Sequence, residues 1–354
     1  MNRAAPIALA PLSFVYGAAV KIRFALYRKG IFKTQTVGVP VISVGNITTG
    51  GTGKTPLVEW IAKNLSARRQ RVCVLTRGYR RTNPSERLVV SDSTQIVCDV
   101  TQSGDEAMML AESLLGEAAV VCDADRVAAA RWAVQNLDAD VLILDDGFQH
   151  LRIARDLDIV TVDATNPWGN GRLLPTGILR EPVGNLKRAD CIIVTRADDG
   201  AAADLQEQIS QTTDAPVFRA TALIHRITPF DSPETKADKA AIPKQPLAAF
   251  CGIGNPEAFF QQLRAEGFDL RHTEAFHDHH KYSQTDIDRL TQRAAGAGSQ
   301  ALITTGKDAV KLRSLHFTLT CYVAEMQIQV ADGDELLALI DRTIETKGAL
   351  MRDA

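Results

Sequence analysis

Short apolar runs rich in β-branched residues recur along the chain and alternate with segments whose apolar residues return every three or four positions. Uninterrupted apolar runs predict strands of a parallel sheet, because both faces of such a strand are buried. The 3.6-residue spacing predicts helices between them. Strand and helix in alternation favour an α/β fold with a doubly wound sheet. In the first part of the chain the predicted strands occupy residues 39–44, 71–76, 118–122, 140–145, 157–163 and 191–195.

Composition changes between residues 227 and 246, where four prolines lie among charged residues, as is typical of a linker. A second strand and helix unit follows, with strands at 247–250 and 301–305 and a last helix at 334–344. The sequence therefore predicts an N-terminal helix, a larger α/β domain, a linker and a smaller C-terminal α/β domain. Their predicted boundaries are residues 1–30, 31–226, 227–246 and 247–354.

A glycine-rich stretch, Gly50-Gly51-Thr52-Gly53-Lys54-Thr55, lies between the first strand and the first helix of the larger domain. Glycines let backbone N–H groups approach phosphate oxygens, and the helix N-terminus adds positive potential. In this pattern the lysine reaches the β and γ phosphates and the threonine hydroxyl ligates Mg²⁺. A glycine-rich helix entry without a ligand is the alternative. The predicted nucleotide-binding residues are Thr48, Thr49, Gly50, Gly51, Thr52, Gly53, Lys54 and Thr55.

Thr48 departs from the general GxxxxGK[ST] pattern, which has glycine at that position. The loop is therefore a variant, in which Gly50 and Gly51 are expected to form the tight turn.

Carboxylates follow the predicted strand at residues 140–145. Mg²⁺ prefers oxygen ligands, and phosphate-loop enzymes hold the metal and its waters with a strand-end aspartate. We therefore predict that Asp145 and Asp146 lie on the metal side of the site, together with Thr55. The spacing does not rank the two aspartates.

One further strand end and one helix start carry candidate site residues. Arg77 follows the strand at 71–76, where a ligand of an α/β sheet binds, although a solvated loop arginine is the alternative. Asp105 and Glu106 open an amphipathic helix after Gly104. Their pattern is equally compatible with helix capping and with catalysis.

The segment 277–282, His-Asp-His-His-Lys-Tyr, holds three of the seven histidines. A metal site is conceivable, but no matching Cys or His set lies nearby, so a solvated loop is the ordinary alternative. A histidine beside an aspartate also suits proton transfer.

The N-terminal segment is apolar and basic. Residues 1–58 contain no Asp or Glu but seven Lys and Arg residues, and residues 4–20 are uncharged. A transmembrane helix is disfavoured because the run is short and proline-broken, and a cleaved signal peptide is disfavoured because the nucleotide is cytoplasmic. The sequence favours a helix in the interface of an anionic membrane. A helix packed on its own domain remains the alternative.

Composition narrows the function classes. The net charge of -2 argues against a nucleic-acid-binding protein. The six cysteines are scattered without a CxxC pair, which is typical of reduced core residues in a cytoplasmic protein. The length of 354 residues is sufficient for two domains of ordinary size.

Together these motifs resemble the tetraacyldisaccharide 4'-kinase family, over nearly the whole chain and including Thr48 in the variant loop. The resemblance implies a P-loop NTPase-like kinase domain with a second α/β domain, joined at a cleft. It implies transfer of the γ-phosphoryl group of ATP, with Mg²⁺, to the 4'-hydroxyl of an acylated glucosamine disaccharide 1-phosphate, at the cytoplasmic face of the inner membrane. The matching stretches are residues 44–56, 76–79, 104–106, 144–150, 179–182, 278–279 and 305–308.

The resemblance also implies residue roles. Asp105 matches the family's catalytic carboxylate and His279 the histidine that pairs with it, chosen over His277 and His280 because the motif is Asp-His. Lys54 and Thr55 match the phosphate-loop pair. The other predicted site residues, which lie in the matching motifs, are Arg77, Glu106, Gln149, His150 and Glu181.

Two other functions stay open from the sequence. A switch-type ATPase or GTPase with a deviant phosphate loop shares the GGTGKT pattern, although such proteins carry an additional lysine early in the loop. Such proteins also do not need an apolar, basic N-terminus. A soluble small-molecule kinase would be active without detergent on a water-soluble acceptor. The oligomeric state is not predicted.

Overall fold

The computed structural model describes residues 9–79, 81–197, 199–231 and 245–352. Most of the predicted linker, residues 232–244, lies outside the described residues. The strands are β1 (Val41–Gly45), β2 (Val72–Thr76), β3 (Leu88–Ser91), β4 (Ala118–Cys122), β5 (Val141–Asp145), β6 (Leu157–Asp163), β7 (Cys191–Thr195), β8 (Val217–Pro229), β9 (Leu247–Cys251), β10 (Leu270–Ala275), β11 (Ala301–Thr305) and β12 (Cys321–Val330). The α-helices are α1 (Ala10–Arg28), α2 (Lys54–Ala67), α3 (Val100–Ser103), α4 (Asp105–Ser113), α5 (Arg126–Asn136), α6 (Asp199–Ser210), α7 (Pro256–Ala265), α8 (Gln284–Gly296), α9 (Gly306–Ala309) and α10 (Gly333–Arg352), and a 3₁₀-helix spans Val183–Arg188.

All twelve strands belong to one sheet, in the order β10-β9-β11-β12-β8-β7-β6-β1-β5-β2-β4-β3. Neighbouring strands are parallel except for two pairs, β8 with β12 and β3 with β4. Strands β1, β2, β4 and β5 are buried along their whole length, as the uninterrupted apolar runs predict. The predicted α/β class is confirmed.

The pair β8 and β12 connects the two predicted α/β units. The first residues of β8 pair with β7, and Ala220 to Pro229 pair antiparallel with β12. The register shifts between Glu325 and Met326, so this long pair carries a bulge near its middle. Strands of both predicted domains are thus hydrogen-bonded into one sheet, and the predicted division into domains stays a prediction.

Helix α10 follows β12 but packs on the first part of the chain. Its residues Leu336, Leu337 and Ile340 belong to the same buried cluster as Leu57 and Ile61 of α2. Residues 333–352 therefore cover the sheet beside the glycine-rich loop, although their position in the chain assigns them to the C-terminal unit.

Helix α1 presents two different faces. One face contacts the segment 173–180: the Ser13 hydroxyl donates to the Leu173 carbonyl at 3.1 Å, and the Tyr16 hydroxyl donates to the Arg180 carbonyl at 2.9 Å. The other face is apolar and exposed, and Phe14 is 80% exposed. No described helix combines the length and apolar character needed to cross a bilayer. The contacts with residues 173–180 agree with the alternative of a helix packed on its own domain, and the interfacial position stays a prediction.

Candidate active site

The glycine-rich loop connects the end of β1 to the start of α2. Gly50 and Gly53 have φ values of 113° and 79°, which L side chains rarely adopt, and Gly53 is the N-cap of α2. Thr52 is buried, and its hydroxyl lies 2.9 Å from the Asn46 amide nitrogen and 2.7 Å from the Thr161 hydroxyl. These hydrogen bonds of the Thr52 side chain hold the loop backbone in place, while Gly50 and Gly51 stay exposed.

Arg196 and Thr195, at the end of β7, support the same loop from the side. Arg196 donates to the Gly51 carbonyl at 2.8 Å and pairs with Asp163, and the Thr195 hydroxyl donates to the Thr52 carbonyl at 3.1 Å. These hydrogen bonds fix the carbonyls of Gly51 and Thr52 and so hold the loop backbone in place.

The structure gives a physical reason for threonine at position 48. Thr48 is buried and forms an isolated antiparallel bridge with Leu179, and the neighbouring Thr49 amide donates to the Ile178 carbonyl at 2.7 Å. This half of the loop is therefore extended chain paired with the segment 178–180. An extended residue does not require glycine, so the tight turn moves to Gly50 and Gly53.

Asp145 and Asp146 lie at the end of β5, beside the start of α2. The Asp145 carboxylate accepts from the Thr76 hydroxyl at 3.0 Å. Asp146 has a φ of 56° and lies 3.6 Å from the Lys54 ammonium and 2.7 Å from the Arg180 guanidinium. The structure thus brings both predicted metal-side acids to the phosphate-loop lysine.

The two carboxylates differ in their electrostatic surroundings. Burial, together with the charges of Glu106 and Asp146, raises the pKa of Asp145 to about 6. Burial also opposes ionisation of Asp146, but the charges of Lys54 and Arg180 outweigh it and lower the pKa of Asp146. Asp145 is therefore the carboxylate with the less compensated charge, and a cation would relieve its repulsion.

The oxygen donors fit Mg²⁺. Mg²⁺ is usually bound by one or two protein groups while phosphates and waters complete its shell. Thr55 and Asp145 offer such a pair. Among the described residues, no group of three or more His, Cys, Asp or Glu is arranged to hold a metal by itself.

Asp105 and His279 meet across the cleft between the two parts of the molecule. Asp105 is the first residue of α4 and is 7% exposed, and His279 lies in the loop between β10 and α8. The two carboxylate oxygens of Asp105 lie 2.8 Å and 3.0 Å from Nδ1 of His279. Gly104, before α4, has a φ of 83°, and a Cβ there would lie 2.4 Å from the Tyr79 carbonyl oxygen. Glycine is thus required where Asp105 enters the cleft.

Lys307 from α9 completes this cluster. Its ammonium lies 3.0 Å from Glu106, 3.1 Å from Asp278 and 3.4 Å from Nε2 of His279. Because an ammonium can only donate, Nε2 accepts and Nδ1 carries the proton that is donated to Asp105. Burial raises the pKa of Asp105, but the bond from His279 and the charge of Lys307 outweigh it, and the pKa is lowered. Asp105 is therefore held as a carboxylate.

Of the remaining predicted site residues, Gln149 and His150 follow Asp146 closely in the chain, and Glu181 contacts Gln149. Gln149 donates to Glu181 at 2.9 Å, and Glu181 is buried and paired with Arg188 at 2.6 Å. Burial and neighbouring arginines lower the pKa of His150 to about 4, so it is neutral near pH 7. Arg77 is exposed at the end of β2. Glu181 thus holds other side chains in place and is not open to the cleft.

Sequence reasoning did not assign Arg126, which opens α5 and is 3% exposed. Its Nη1 donates to the Asp123 carbonyl, and its Nε and Nη2 have no hydrogen-bond partner among the described residues. Its charge acts on Asp145 and Asp146. The available signal was its place directly after β4, at the same edge of the sheet as Arg77. Arg188 was missed as well, because no motif marks it.

The other histidines of the segment 277–282 do not form a metal site with His279. His280 stacks on Phe276, with ring centroids 4.8 Å apart, and its Nε2 lies 3.2 Å from Asp286. It is part of the packing of the second unit.

A cavity of about 1140 Å³ lies between the two parts of the molecule. It is lined from the first part by Gly53, Thr195 and Arg196, and from the second by Asn255 and Lys307. Pockets for cofactors commonly have several hundred Å³. The cavity therefore offers room for a nucleotide beside the phosphate loop.

Comparison with known proteins identifies the family. Residues 5–345 match the family model for tetraacyldisaccharide-1-P 4'-kinase. Tetraacyldisaccharide 4'-kinase from Geobacter metallireducens is 41% identical over 95% of this chain and 97% of that protein, and its counterpart from Geobacter sulfurreducens is 39% identical over 93% and 91%.

A solved structure is similar over nearly the whole chain. The crystal structure of LpxK from Aquifex aeolicus in complex with ATP is 30% identical, has a TM-score of 0.78, and covers 96% of this chain and 99% of that chain. These matches confirm the resemblance and the P-loop NTPase-like fold, and they do not favour a switch-type NTPase. The chain belongs to the tetraacyldisaccharide-1-P 4'-kinase family.

Proposed function

We propose that this protein transfers the γ-phosphoryl group of ATP to the 4'-hydroxyl of a tetraacylated glucosamine disaccharide 1-phosphate in lipid A synthesis. Family membership supports the reaction, and ATP in the related crystal structure supports the donor. The site chemistry agrees, because it combines a phosphate loop with a carboxylate that can accept a hydroxyl proton.

On the donor side, Lys54, Thr55 and the loop amides bind the β and γ phosphates. Thr55 and Asp145 would hold Mg²⁺, which would supply neutralisation of the phosphate charge. Asp146 orients Lys54, and Arg180 orients Asp146. Positioning and charge neutralisation of this kind provide most of the catalysis in phosphoryl transfer.

On the acceptor side, Asp105 is the general base. The observation that carries this assignment is the contact between Asp105 and Nδ1 of His279, at 2.8 Å across the cleft. His279 orients the carboxylate and Lys307 keeps it ionised. The exposed Arg77 and the buried Arg126 provide positive charge at the same edge of the sheet, which suits an anionic acceptor such as a sugar phosphate.

The acceptor is a lipid, and we propose that the enzyme meets it at the cytoplasmic face of the inner membrane. The exposed apolar face of α1 and the basic residues Lys21, Arg28 and Lys29 support an interfacial position on an anionic surface.

The test uses purified full-length protein, ATP labelled on the γ-phosphate and a detergent-dispersed lipid acceptor. Wild-type protein is expected to label the lipid and to consume ATP only when the acceptor is present. Asp105→Asn keeps the shape but cannot accept the proton, so turnover should fall roughly 10²- to 10⁴-fold. Binding of a fluorescent ATP analogue should change little.

Asp99→Asn is the matched control, because Asp99 is the N-cap of α3 and asparagine caps helices equally well. It should keep wild-type turnover. Full activity of Asp105→Asn would exclude Asp105 as the base, and lipid-independent ATP hydrolysis by the wild type would contradict the proposed reaction.

A further inference from the structure

Arg188 is clamped between two aromatic rings that come from distant parts of the chain. Its guanidinium carbon lies 3.9 Å from the ring centroid of Phe148 and 4.3 Å from that of Phe24. Phe24 belongs to α1, whereas Phe148 is fully buried two residues after Asp146. A cation so close to two ring faces is attracted to both. Arg188 therefore joins the N-terminal helix to the segment that carries the metal-side acids.

The guanidinium is also fixed by hydrogen bonds at its edges. Its Nη2 donates to the Glu181 carboxylate at 2.6 Å, and its Nη1 to the Phe148 carbonyl at 3.4 Å. The other oxygen of Glu181 accepts from the Gln149 amide, which also donates to the Asn46 carbonyl at 2.9 Å. A displacement of Arg188 would thus disturb both Phe148 and Gln149.

Helix α1 contacts the same region at two more points. The Tyr16 hydroxyl donates to the carbonyl of Arg180, whose guanidinium pairs with Asp146. Arg23 donates to the Gln149 carbonyl at 2.9 Å. All three contacts converge on residues 145–149, which we call the carboxylate loop.

The carboxylate loop has little freedom to move independently of these contacts. A Cβ at Gly45 would lie 2.5 Å from Cβ of Phe148, and a Cβ at Gly147 would lie 2.6 Å from Cβ of Leu144. In so close-packed a segment, a shift of Phe148 is transmitted to its neighbours. Asp146, two residues earlier, holds Lys54 of the phosphate loop.

We propose that Arg188 is a positioning residue, which makes the geometry of the carboxylate loop depend on the contact of Arg188 with Phe24 of α1. The N-terminal helix then has two separable tasks: its exposed face binds the membrane, and its inner face shapes the phosphoryl-transfer site. This inference rests on the role proposed above for Asp146. It names the contacts of Arg188 as what fixes the orientation of Asp146.

The first experiment measures hydrogen–deuterium exchange of the backbone amides in residues 145–150, in full-length protein without nucleotide or metal. Phe24→Ala and Arg188→Met should both increase exchange there, although residue 24 is far away in sequence. Phe24→Tyr retains the ring and should keep wild-type exchange. Lys187→Met is the matched control, because Lys187 is exposed in the same 3₁₀-helix, and it should also behave as wild type.

The second experiment measures turnover on the detergent-dispersed acceptor. Loosening a residue that orients metal ligands typically costs 10- to 100-fold in metal affinity or activity. Phe24→Ala should therefore lower turnover roughly 10-fold or more and raise the Mg²⁺ concentration for half-maximal activity. A purely structural defect would lower the active fraction without changing that concentration.

Vesicle flotation separates the two tasks of α1. Phe24→Ala should still float with anionic vesicles, whereas Phe14→Ser should lose flotation and keep wild-type exchange in residues 145–150.

Wild-type exchange and wild-type Mg²⁺ dependence in Phe24→Ala would overturn the proposal. If Arg188→Met does not fold, Phe24→Ala decides alone. Absence of lipid labelling by the wild type would contradict the proposed function. The exchange data would still show whether the contact of Phe24 with Arg188 fixes the carboxylate loop.

Discussion

Asp145 is a buried carboxylate whose neighbours oppose its ionisation. Burial and the charges of Glu106 and Asp146 raise its pKa to about 6. Mg²⁺ binds the carboxylate and not the acid, so protons compete with the metal as the pH falls through this value. Between about pH 7.5 and about pH 5.5 the Mg²⁺ concentration for half-maximal turnover should rise about fourfold. Mg²⁺ titrations at fixed ATP, corrected for proton binding to ATP, measure it.

The control for this pH dependence is Glu59→Gln. Burial raises the pKa of Glu59 to about 7, but its carboxylate accepts from Ser113, and the charges that act on it are those of Lys63 and Glu325 and not those of the two aspartates. This variant should retain the pH dependence of Mg²⁺ use, whereas Asp145→Asn should lose it together with most activity. A Mg²⁺ requirement that is independent of pH in the wild type would remove Asp145 from the metal shell.

Helix α1 is an element with apolar residues on the side that faces away from the protein. Phe14, Val15 and Ile22 are 80%, 62% and 59% exposed. Moving such side chains out of water stabilises by roughly 1.5–3 kcal/mol each, so Phe14→Ser with Val15→Ser should weaken binding to anionic vesicles by at least about 10-fold. Vesicle co-sedimentation measures the change. Val97→Ser is the control, because Val97 is 50% exposed on another surface, and equal binding of both variants would refute the interfacial role.

Several elements of the fold and site could be predicted because their information is local. The phosphate loop and the strand-end acids each lie in a short motif of consecutive residues. Asp105 and His279 lie in two separate motifs, and their pairing was implied by the family resemblance. Strand β8 was missed because less exposed and exposed positions alternate from Phe218 to His225, so it lacks the uninterrupted apolar run that predicted the other strands. The packing of α10 was not predictable either: an amphipathic pattern shows that a helix has an apolar face, but not which core receives it. The Arg188 clamp joins residues 24, 148 and 188, and no local pattern brings them together.

At the scale of the whole molecule, two parts of one sheet face each other across a cavity that the nucleotide must enter. The two parts are connected through the antiparallel pair of β8 and β12. On the cleft side, three side-chain contacts join them: the His279 ring with Asp105, and the ion pairs of Lys307 with Glu106 and of Arg313 with Glu112. All three contacts are made with residues of α4, so the general base is oriented only when both parts of the molecule are together.

Lys307 is the cross-cleft cation that matters most, because it is 15% exposed and contacts Glu106, Asp278 and His279 together. Lys307→Met keeps the side-chain stem but removes the charge that helps lower the pKa of Asp105. The base then takes up its proton at a higher pH, so the acid limb of the kcat/KM profile should move to higher pH and turnover should fall roughly 10-fold. Small-angle scattering should also show a wider molecule.

The matched control removes a cation from the rim of the same cleft. Arg313 is 61% exposed in its pair with Glu112, and exposed pairs contribute about 0–1 kcal/mol. Arg313→Met should therefore leave the acid limb where it is in the wild type and change turnover only slightly. If Lys307→Met and Arg313→Met gave the same pH profile, the charge at position 307 would not act on Asp105, and the cross-cleft contacts would serve closure alone.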